Sequence, residues 1–422
     1  MRRSAFQEAI AHLGKAIALA DKAAEPATAA AISKAEASRR VKLQNDYAQA
    51  ALWSKGYAAD EAKAAFERTS ALATRAELPA DGFSALVGRF LWSWSRGEFR
   101  VARDIAERFL REAEAEGRIA EARVGHLALG QACMQLGDLR EARTQLELGL
   151  SGFEEPGGEI REKFGFDVGA SARAVLAFTT WLSGDLPRAR ELIEEATRLA
   201  GELGHPPTTA SVLLYKIAIE TARNDFESVV VDAGNFLKIS QQHSMGYYLA
   251  LSRLYLSWGR TQLGNTQRGL DDFRKSLADY RDQGNRVIVP GFLGALARFE
   301  ATAQNYEQAL ALIDEALVMS QEGGDRLYDS NLHRLRGNIL LKRDPTNPAQ
   351  AEEAFKTSLA IAKQQGARSF ELLASLALAK LYQSTDRLVE AHAVLAPALE
   401  GFSPTPEMPV IAKAQTLLAA LA

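Results

Sequence analysis

The chain has 422 residues, of which 47% are hydrophobic and 24% are charged. This composition supplies enough apolar material for a continuous core and excludes a largely disordered chain. The 50 Lys and Arg against 53 Asp and Glu leave a net charge of −3, so charge gives no reason to expect nucleic acid or an anionic membrane as a partner. The single cysteine, Cys133, excludes an internal disulfide and favours a cytoplasmic location.

The N-terminal segment is predicted to be a helix and not a signal peptide, because charged and polar residues interrupt its apolar run. Residues 1–24 match the second helix of a helical hairpin with no first helix before it, which indicates a chain cut from a longer protein. Residues 25–38, which are Ala-rich and contain Pro26, predict a linker. A repeat region is expected over 39–402 and a C-terminal capping helix over 403–422. No stretch has the ~20 apolar residues that a transmembrane helix needs.

Helical apolar spacing continues along almost the whole chain, which predicts an all-α protein. The clearest unit is LGQACMQLGDLREA at 129–142, a helix, a tight turn and the start of a second helix. It resembles a tetratricopeptide repeat (TPR). In that family a small residue allows close helix approach, a glycine or polar residue reverses the chain, and an alanine lets the second helix nest against the first. Gly130, Gly137 and Ala142 occupy these positions.

The unit recurs with a period of 40 residues. Equivalent positions that open the second helix are spaced by 40, 47, 40, 40 and 40 residues, at Phe99, Leu139, Leu186, Phe226, Thr266 and Tyr306. A surface insertion around Pro156 explains the longer spacing, and another lengthens the turn near Pro345 and Pro348. We predict a right-handed α-solenoid of about nine to ten TPR-like helix pairs. We expect it to be elongated, with each repeat contacting only its neighbours and with nearly independent ends.

No sequence motif carries catalytic chemistry. A GxxxxGK[ST] phosphate loop, a GxGxxG turn, HExxH, GxSxG and paired CxxC motifs are all missing from the sequence. The six histidines are scattered at one or fewer per repeat, which disfavours a metal site. We therefore predict no enzyme activity, cofactor or metal. Cys133 and His333 each have a reactive or groove-facing interpretation and a packing interpretation, and their apolar neighbours favour packing.

The helix with the sequence YYLALSRLYLSWGRTQ, residues 247–262, is the strongest candidate binding surface. Aromatic and Arg side chains supply much of the binding energy at protein interfaces. The first helices of successive repeats are expected to line one concave wall. The candidate groove residues are Gln131, Tyr247, Tyr248, Arg253 and Trp258. The alternative is that the aromatic residues fill the core, in which case Trp258→Ala would reduce stability and not ligand affinity.

The C-terminal half has a more specific resemblance. The runs RLYDSNLHRLRGNILL, AEEAFKTSLAIAKQQGARSFELLASLALAKLY and EAHAVLAPALEGF resemble the helical region that follows the ATPase module of bacterial multidomain class III adenylate or guanylate cyclases and related ATPase-coupled regulators. The matching residues are Leu332, His333, Arg334, Leu335, Gly337, Ser369, Glu371, Leu372, Ala396 and Pro397. The ending FSPTPEMPVIAKAQTLLAAL departs from the acidic, aromatic terminus of that family. The resemblance implies a sensor or autoinhibitory arm and places no catalytic residue in this chain.

Three functional hypotheses follow. The first is a non-catalytic sensor or scaffold that binds a protein, peptide or effector in its groove and regulates an attached ATPase or cyclase module of the same polypeptide. The second is a free-standing peptide receptor or adaptor. The third, an enzyme working from the solenoid itself, lacks a catalytic constellation. None of the three predicts direct nucleic-acid or membrane binding.

Overall fold

The computed structural model describes residues 5–24, 33–76, 79–151, 164–264 and 267–421. Twenty helices and no strands lie in these ranges. The helices are α1 Ala5–Ala24, α2 Lys34–Lys55, α3 Asp60–Arg75, α4 Pro79–Ser95, α5 Phe99–Ala115, α6 Ile119–Gln135, α7 Leu139–Leu150, α8 Val168–Leu182, α9 Leu186–Leu203, α10 Pro206–Arg223, α11 Phe226–Gln242, α12 Gly246–Gly264, α13 Gln267–Asp282, α14 Val289–Thr302, α15 Tyr306–Gly323, α16 Asp329–Arg343, α17 Ala349–Gln365, α18 Arg368–Ser384, α19 Leu388–Leu399 and α20 Val410–Ala420.

Helices α2 to α19 form antiparallel pairs in which an even-numbered first helix packs on the following second helix. The predicted all-α solenoid of TPR-like pairs is confirmed. Second helices begin at the residues that the 40-residue period identified, namely Phe99, Leu139, Leu186, Phe226 and Tyr306. The sixth, Thr266, lies outside the described residues. A regular hydrophobic period is therefore sufficient to locate these helix starts.

The α6–α7 pair explains why small residues are needed between the helices. A Cβ atom at Gly130 would lie 2.6 Å from Cγ of Leu146 and 3.1 Å from the carbonyl oxygen of Ala142. Ala142 itself is fully buried. Gly137 has φ +81°, a backbone conformation that favours glycine, and it reverses the chain. The Asp138 side chain then accepts a hydrogen bond from the Glu141 N–H and caps α7.

The solenoid coils so tightly that successive superhelical turns touch, and the expected independence of distant repeats is wrong. Backbone N–H groups of Arg286 and Arg326 donate to the carbonyl oxygens of Ser95 and Gln135, each at 2.7 Å. The hydroxyl of Ser369 donates to a carbonyl 188 residues earlier in the chain. About five 40-residue repeats complete one turn, because contacts recur at this separation. Each repeat therefore contacts the turn above or below as well as its sequence neighbours.

At the N-terminal end, α1 packs against α2, and Arg40 donates to Asp21 at 2.8 Å. The hydroxyl of Ser33 accepts from the Glu36 N–H and caps α2. Helix α2 therefore begins at Lys34, inside the segment 25–38 that was predicted to be a linker. The remainder of that segment, residues 25–32, lies outside the described residues.

At the C-terminal end, α20 lies within the predicted capping segment 403–422. Glu407, just before it, forms ion pairs with Arg190 and Arg223 of the preceding turn. The predicted insertion near Pro345 and Pro348 forms a turn between α16 and α17 that is mostly exposed. The other insertion, around Pro156, lies outside the described residues.

Cys133 is fully buried on α6, which confirms the packing interpretation of this residue. Burial raises the pKa of its thiol to about 12, so the nucleophilic thiolate is suppressed. His333 on α16 is half-buried, and burial lowers the pKa of its imidazole.

Candidate functional site

The inner wall of the superhelix contains two adjoining cavities lined mainly by first helices. Cavity A, of about 100 Å³, includes Trp53, Tyr57, Trp94, Gln131, Tyr215, Tyr247 and Tyr248 among its lining residues. Cavity B, of about 340 Å³, includes Trp181, Trp258, Phe292, Arg298, Asn331, Arg334 and Phe370. The two cavities share Phe178, Ala218, Tyr255, Ile288 and Tyr328. They therefore form one continuous inner surface that draws on both superhelical turns.

Cavity A is closed by aromatic contacts that join the end of α2 and the loop after it, in the first turn, to α12 of the second turn. The rings of Tyr57 and Tyr247 stack with centroids 4.4 Å apart and an interplanar angle of 12°. Trp53 stacks on Tyr248 at 5.9 Å. The Tyr57 hydroxyl donates to the Tyr248 hydroxyl at 3.2 Å. The hydrogen bond pairs the hydroxyls of Tyr57 and Tyr248 while the ring faces remain in apolar surroundings.

On the opposite side of cavity A, α6 meets α10. The Gln131 side chain donates from Nε2 to the Tyr215 hydroxyl at 3.2 Å. Burial raises the pKa of Tyr215 and Tyr247 well above the usual tyrosine value. These hydroxyls therefore remain neutral at physiological pH and act as hydrogen-bonding groups, not as charges.

Cavity B is roomier and its walls are largely aromatic. The Trp258 ring on α12 contacts Phe226 edge to face at 5.3 Å and Phe292 on α14 at 6.1 Å. Its side chain is buried, with 4% exposure. The indole Nε1 of Trp258 has no hydrogen-bond partner among the described residues. The ring is therefore a wall of the cavity, and its donor is not used by the protein.

Two arginines, Arg298 on α14 and Arg334 on α16, also line cavity B. The guanidinium of Arg334 donates from Nε and Nη2 to Oδ1 of Asn331, at 3.2 and 2.6 Å. Burial lowers the pKa of Arg334 to about 10, and the nearby charge of Arg298 contributes to this shift. Burial also lowers the pKa of Arg298. The cavity is therefore a cationic region enclosed by aromatic walls.

The structure divides the candidate groove residues among three places. Gln131, Tyr247 and Tyr248 line cavity A, and Trp258 lines cavity B. Arg253 is exposed on α12 and lines neither cavity. Trp258 is buried and its indole is packed between α11 and α14, which favours the core alternative for this residue. As ligand-binding residues, all five remain predictions.

Sequence reasoning did not identify Tyr57, Trp53 or Arg298 as groove residues. Tyr57 and Tyr248 are 191 residues apart, and no local pattern pairs positions at that distance. Arg334 belonged to a block with a specific resemblance, yet its lack of a carboxylate partner depends on which helix lies beside it. The signal available in the sequence is Arg on consecutive first helices with no Asp or Glu at the facing positions.

Across the described ranges, no three His, Cys, Asp or Glu side chains cluster in a way that could hold a metal ion. Among the helices described above, none has the length and apolar content needed to cross a membrane.

Comparisons with known proteins place the fold. No family model matches the chain. Uncharacterized protein R02095 of Rhizobium meliloti (strain 1021) is 24% identical over 234 residues, which represent 55% of this chain and only 23% of the relative. The chain thus matches less than a quarter of that relative's length.

Two solved structures are also similar. A Rap protein in complex with the Competence and Sporulation Factor covers 91% of this chain and 98% of its own, with a TM-score of 0.54 and 12% identity. A signal transduction ATPase of Pyrococcus horikoshii with a TPR sensor covers 85% of this chain and 55% of its own, with a TM-score of 0.41 and 14% identity. At these identities the likeness concerns the fold alone, and the match to the Rap protein supports the assignment of this chain as a TPR-like helical solenoid.

Proposed function

We propose that this chain is a non-catalytic sensor that binds a peptide, protein segment or effector on its inner wall and regulates an ATPase or cyclase module of the same polypeptide. The observation that carries the proposal is the composition of the two cavities, whose walls come from both superhelical turns. A ligand on this wall contacts helices that are far apart in sequence. Its binding free energy therefore favours one particular spacing between the superhelical turns.

The coupling follows from differential affinity. A ligand shifts a conformational equilibrium only by the difference between its affinities for the two states. A ligand that bridges α10 and α16 favours the pitch at which both helices reach it. The stacking of Tyr57 on Tyr247 links this pitch to the N-terminal end of the solenoid, which the ATPase module precedes in the family that the C-terminal blocks resemble. A ligand-induced change in superhelical pitch is therefore transmitted to an attached module.

A free-standing receptor is the second candidate. The similar Rap protein was solved with the Competence and Sporulation Factor bound, and nearly its whole length matches this chain. That match favours a solenoid that works without an attached catalytic module. The cyclase-like C-terminal blocks favour the first candidate, and the two share the inner wall as the binding site.

Selection from a random-sequence peptide display library tests the binding function. Peptides recovered on the wild-type chain are titrated against Ala218→Phe, which adds a ring where cavities A and B join. Ala412→Phe, at an exposed position of α20, is the matched control. We expect Ala218→Phe to weaken binding at least about tenfold and the control to bind normally. Equal binding by both variants would exclude the inner wall.

The coding sequence around this chain separates the two candidates. An ATPase or cyclase domain in the same reading frame, with turnover altered by a selected peptide, supports regulation in cis. A reading frame without either domain refutes that part and leaves the free-standing receptor.

A further inference from the structure

Cavity B holds two cationic side chains that no acidic residue compensates. Neither Arg298 nor Arg334 forms an ion pair with a carboxylate in the described ranges, and no Asp or Glu lines the cavity. Most arginines of this chain are paired, often with a glutamate one helical turn away, as Arg103 is with Glu107. The two arginines of cavity B have no such partner although they are only partly exposed.

This arrangement is energetically unfavourable without an anion. Both arginines are partly buried, and partial burial of a cation with no counter-charge costs free energy, while two cations in one cavity also repel each other. The direction of the Arg334 pKa shift agrees with both effects, because burial and the charge of Arg298 each disfavour the protonated form. Groups held in such an environment are concentrated at binding and catalytic sites.

The guanidinium donors of the pair are largely unused. Asn331 accepts from Nε and Nη2 of Arg334 and fixes the orientation of the guanidinium, while Nη1 has no partner among the described residues. Arg298 donates no side-chain hydrogen bond to any described residue. A carboxylate has two oxygens whose geometry matches the planar donor fork of a guanidinium.

The rest of cavity B suits an apolar body with a few polar contacts. Trp181, Phe292 and Phe370 supply aromatic surface. Trp181 Nε1, Trp258 Nε1 and Thr221 Oγ1 are buried polar atoms without a protein hydrogen-bond partner, and all three residues line this cavity. Unsatisfied buried donors are rare in folded proteins, and a ligand is one way to satisfy them.

We propose that cavity B binds a small organic acid, with its carboxylate between Arg298 and Arg334 and an aromatic or branched aliphatic body against the aromatic wall. The inference deepens the proposed function, since it rests on the inner wall being a ligand site and names the ligand class for one part of it. The cavity volume of about 340 Å³ falls at the lower end of the range typical of small-molecule sites. An extended peptide segment needs more room than this, which favours a free acid over a peptide chain.

The direct test is calorimetric titration of the wild-type chain with 3-phenylpropionate and with its neutral amide, 3-phenylpropionamide. The two probes have nearly the same size and differ in charge. We expect the acid to bind at least about tenfold more tightly than the amide. Binding of 4-methylpentanoate extends the result to an aliphatic body. Equal affinity for the acid and the amide, or no binding of either acid up to about 1 mM, would overturn the proposal.

Variants that remove one positive charge show where 3-phenylpropionate binds. Arg298→Gln and Arg334→Gln should each reduce the affinity for 3-phenylpropionate at least about tenfold. Arg268→Gln, at an exposed position of α13 that lines neither cavity, is the matched control and should bind the acid normally. Without ligand, each cavity variant should melt at a higher temperature than wild type, because one of two repelling, partly buried cations has been removed. A folded Arg334→Gln protein that keeps full affinity for the acid refutes the assignment. If a variant fails to fold, the comparison of acid and amide on the wild-type protein still decides.

Three further outcomes separate this inference from the proposed function. If display-selected peptides bind and small acids do not, the inference fails and the sensor proposal survives. If an acid binds and peptides do not, cavity B is a small-molecule site as proposed. If phenyl phosphate binds and 3-phenylpropionate does not, the anion is a phosphate ester and the carboxylate assignment is wrong.

Discussion

Cavities A and B occupy consecutive parts of the same inner wall, yet no charged side chain lines cavity A, whereas two arginines line cavity B. In cavity A, the hydroxyls of Tyr57 and Tyr248 bond to each other, and Gln131 donates to Tyr215. In cavity B, Arg298 and the indole N–H of Trp258 have no protein partner among the described residues. Cavity A is also much smaller, at about 100 Å³ against about 340 Å³.

The difference indicates that cavity A stabilises the contact between superhelical turns, whereas cavity B is suited to binding a ligand. The hydrogen-bonded tyrosines and stacked rings of cavity A hold one superhelical turn to the next, so changes there should be measured as lost stability. Unsatisfied donors in cavity B retain their capacity to bind, so changes there should be measured as lost affinity. Equivalent positions of a repeat can thus stabilise the solenoid or bind a ligand, depending on which side chains of the next turn face them.

Removing a stacked ring from cavity A should have the largest effect on stability. Tyr247 is buried and stacks on Tyr57 across the two turns. We expect Tyr247→Ala to lower the free energy of unfolding by about 3 to 5 kcal/mol, as large-to-small core substitutions of aromatic residues do. Chemical denaturation measures the change. Arg253→Ala on the same helix is the control, and an equal loss in both variants would contradict a cohesive role for cavity A.

A smaller loss is expected where the backbones of two turns meet. A Cβ atom at Gly323 would collide with the carbonyl oxygen of Gly97 on the preceding turn. We expect Gly323→Ala to cost about 1 to 3 kcal/mol, the usual range for overpacking. Hydrogen exchange should then accelerate around residue 97 as well as around residue 323.

The matched variant is Gly201→Ala, because a Cβ atom there meets nothing within 4 Å on the exposed side of α9. It should stabilise the protein by up to about 1 kcal/mol, since alanine is the better helix former. If the hydrogen-exchange rate of Gly323→Ala increases only near residue 323, the two superhelical turns are energetically independent.

The turn-to-turn contact should also depend on pH through Asp325, in the loop that precedes α16. Burial raises the pKa of this carboxyl from 3.8 to about 8, and Asp329 adds to the shift. The folded state therefore holds this proton more tightly than the unfolded state, so stability is lost as pH rises from 3.8 toward about 8. The nearby ionisable groups are Asp329, Arg326, Tyr280 and Tyr328.

Asp325→Asn tests this dependence because the amide stays neutral at every pH. We expect the variant to gain stability over wild type above pH 8 by at least about 1.4 kcal/mol, the equivalent of one pKa unit, and to gain less near pH 5. Denaturation at the two pH values measures the difference. A gain that is the same at both pH values would assign the effect to packing and not to ionisation.

The smallest perturbation is chemical labelling of Cys133. Its burial and its pKa of about 12 keep the thiolate scarce in the folded protein. A thiol reagent should therefore label it slowly in the native state and rapidly after denaturation. Rapid native labelling would show that the α6–α7 hairpin opens readily.

The sequence predicted the repeat well because each helix pair obeys local rules. The spacing from Phe99 to Leu139, the positive φ of Gly137 and the close packing at Gly130 all follow from residues within one repeat. Contacts between superhelical turns were not predictable in this way. A 40-residue period fixes what a repeat looks like, but the number of repeats per turn depends on small rotations between helix pairs. Tyr57 therefore gave no signal of its stacking on Tyr247, and the uncompensated charge of Arg334 emerged only from the arrangement of α14 and α16.

The contact between Tyr57 and Tyr248 also orders events during synthesis. The two residues are separated by 191 positions, and ribosomes extend chains at about 5 to 20 residues per second, so the second tyrosine emerges about 10 to 40 seconds after the first. During that interval the aromatic face of α2 has no partner from the next turn and is open to misassociation or to a chaperone. The first turn must therefore remain soluble with an uncovered edge, and closure of the coil belongs to the last stage of folding. Slowing synthesis downstream of α4 would lengthen this exposed period without changing the final structure.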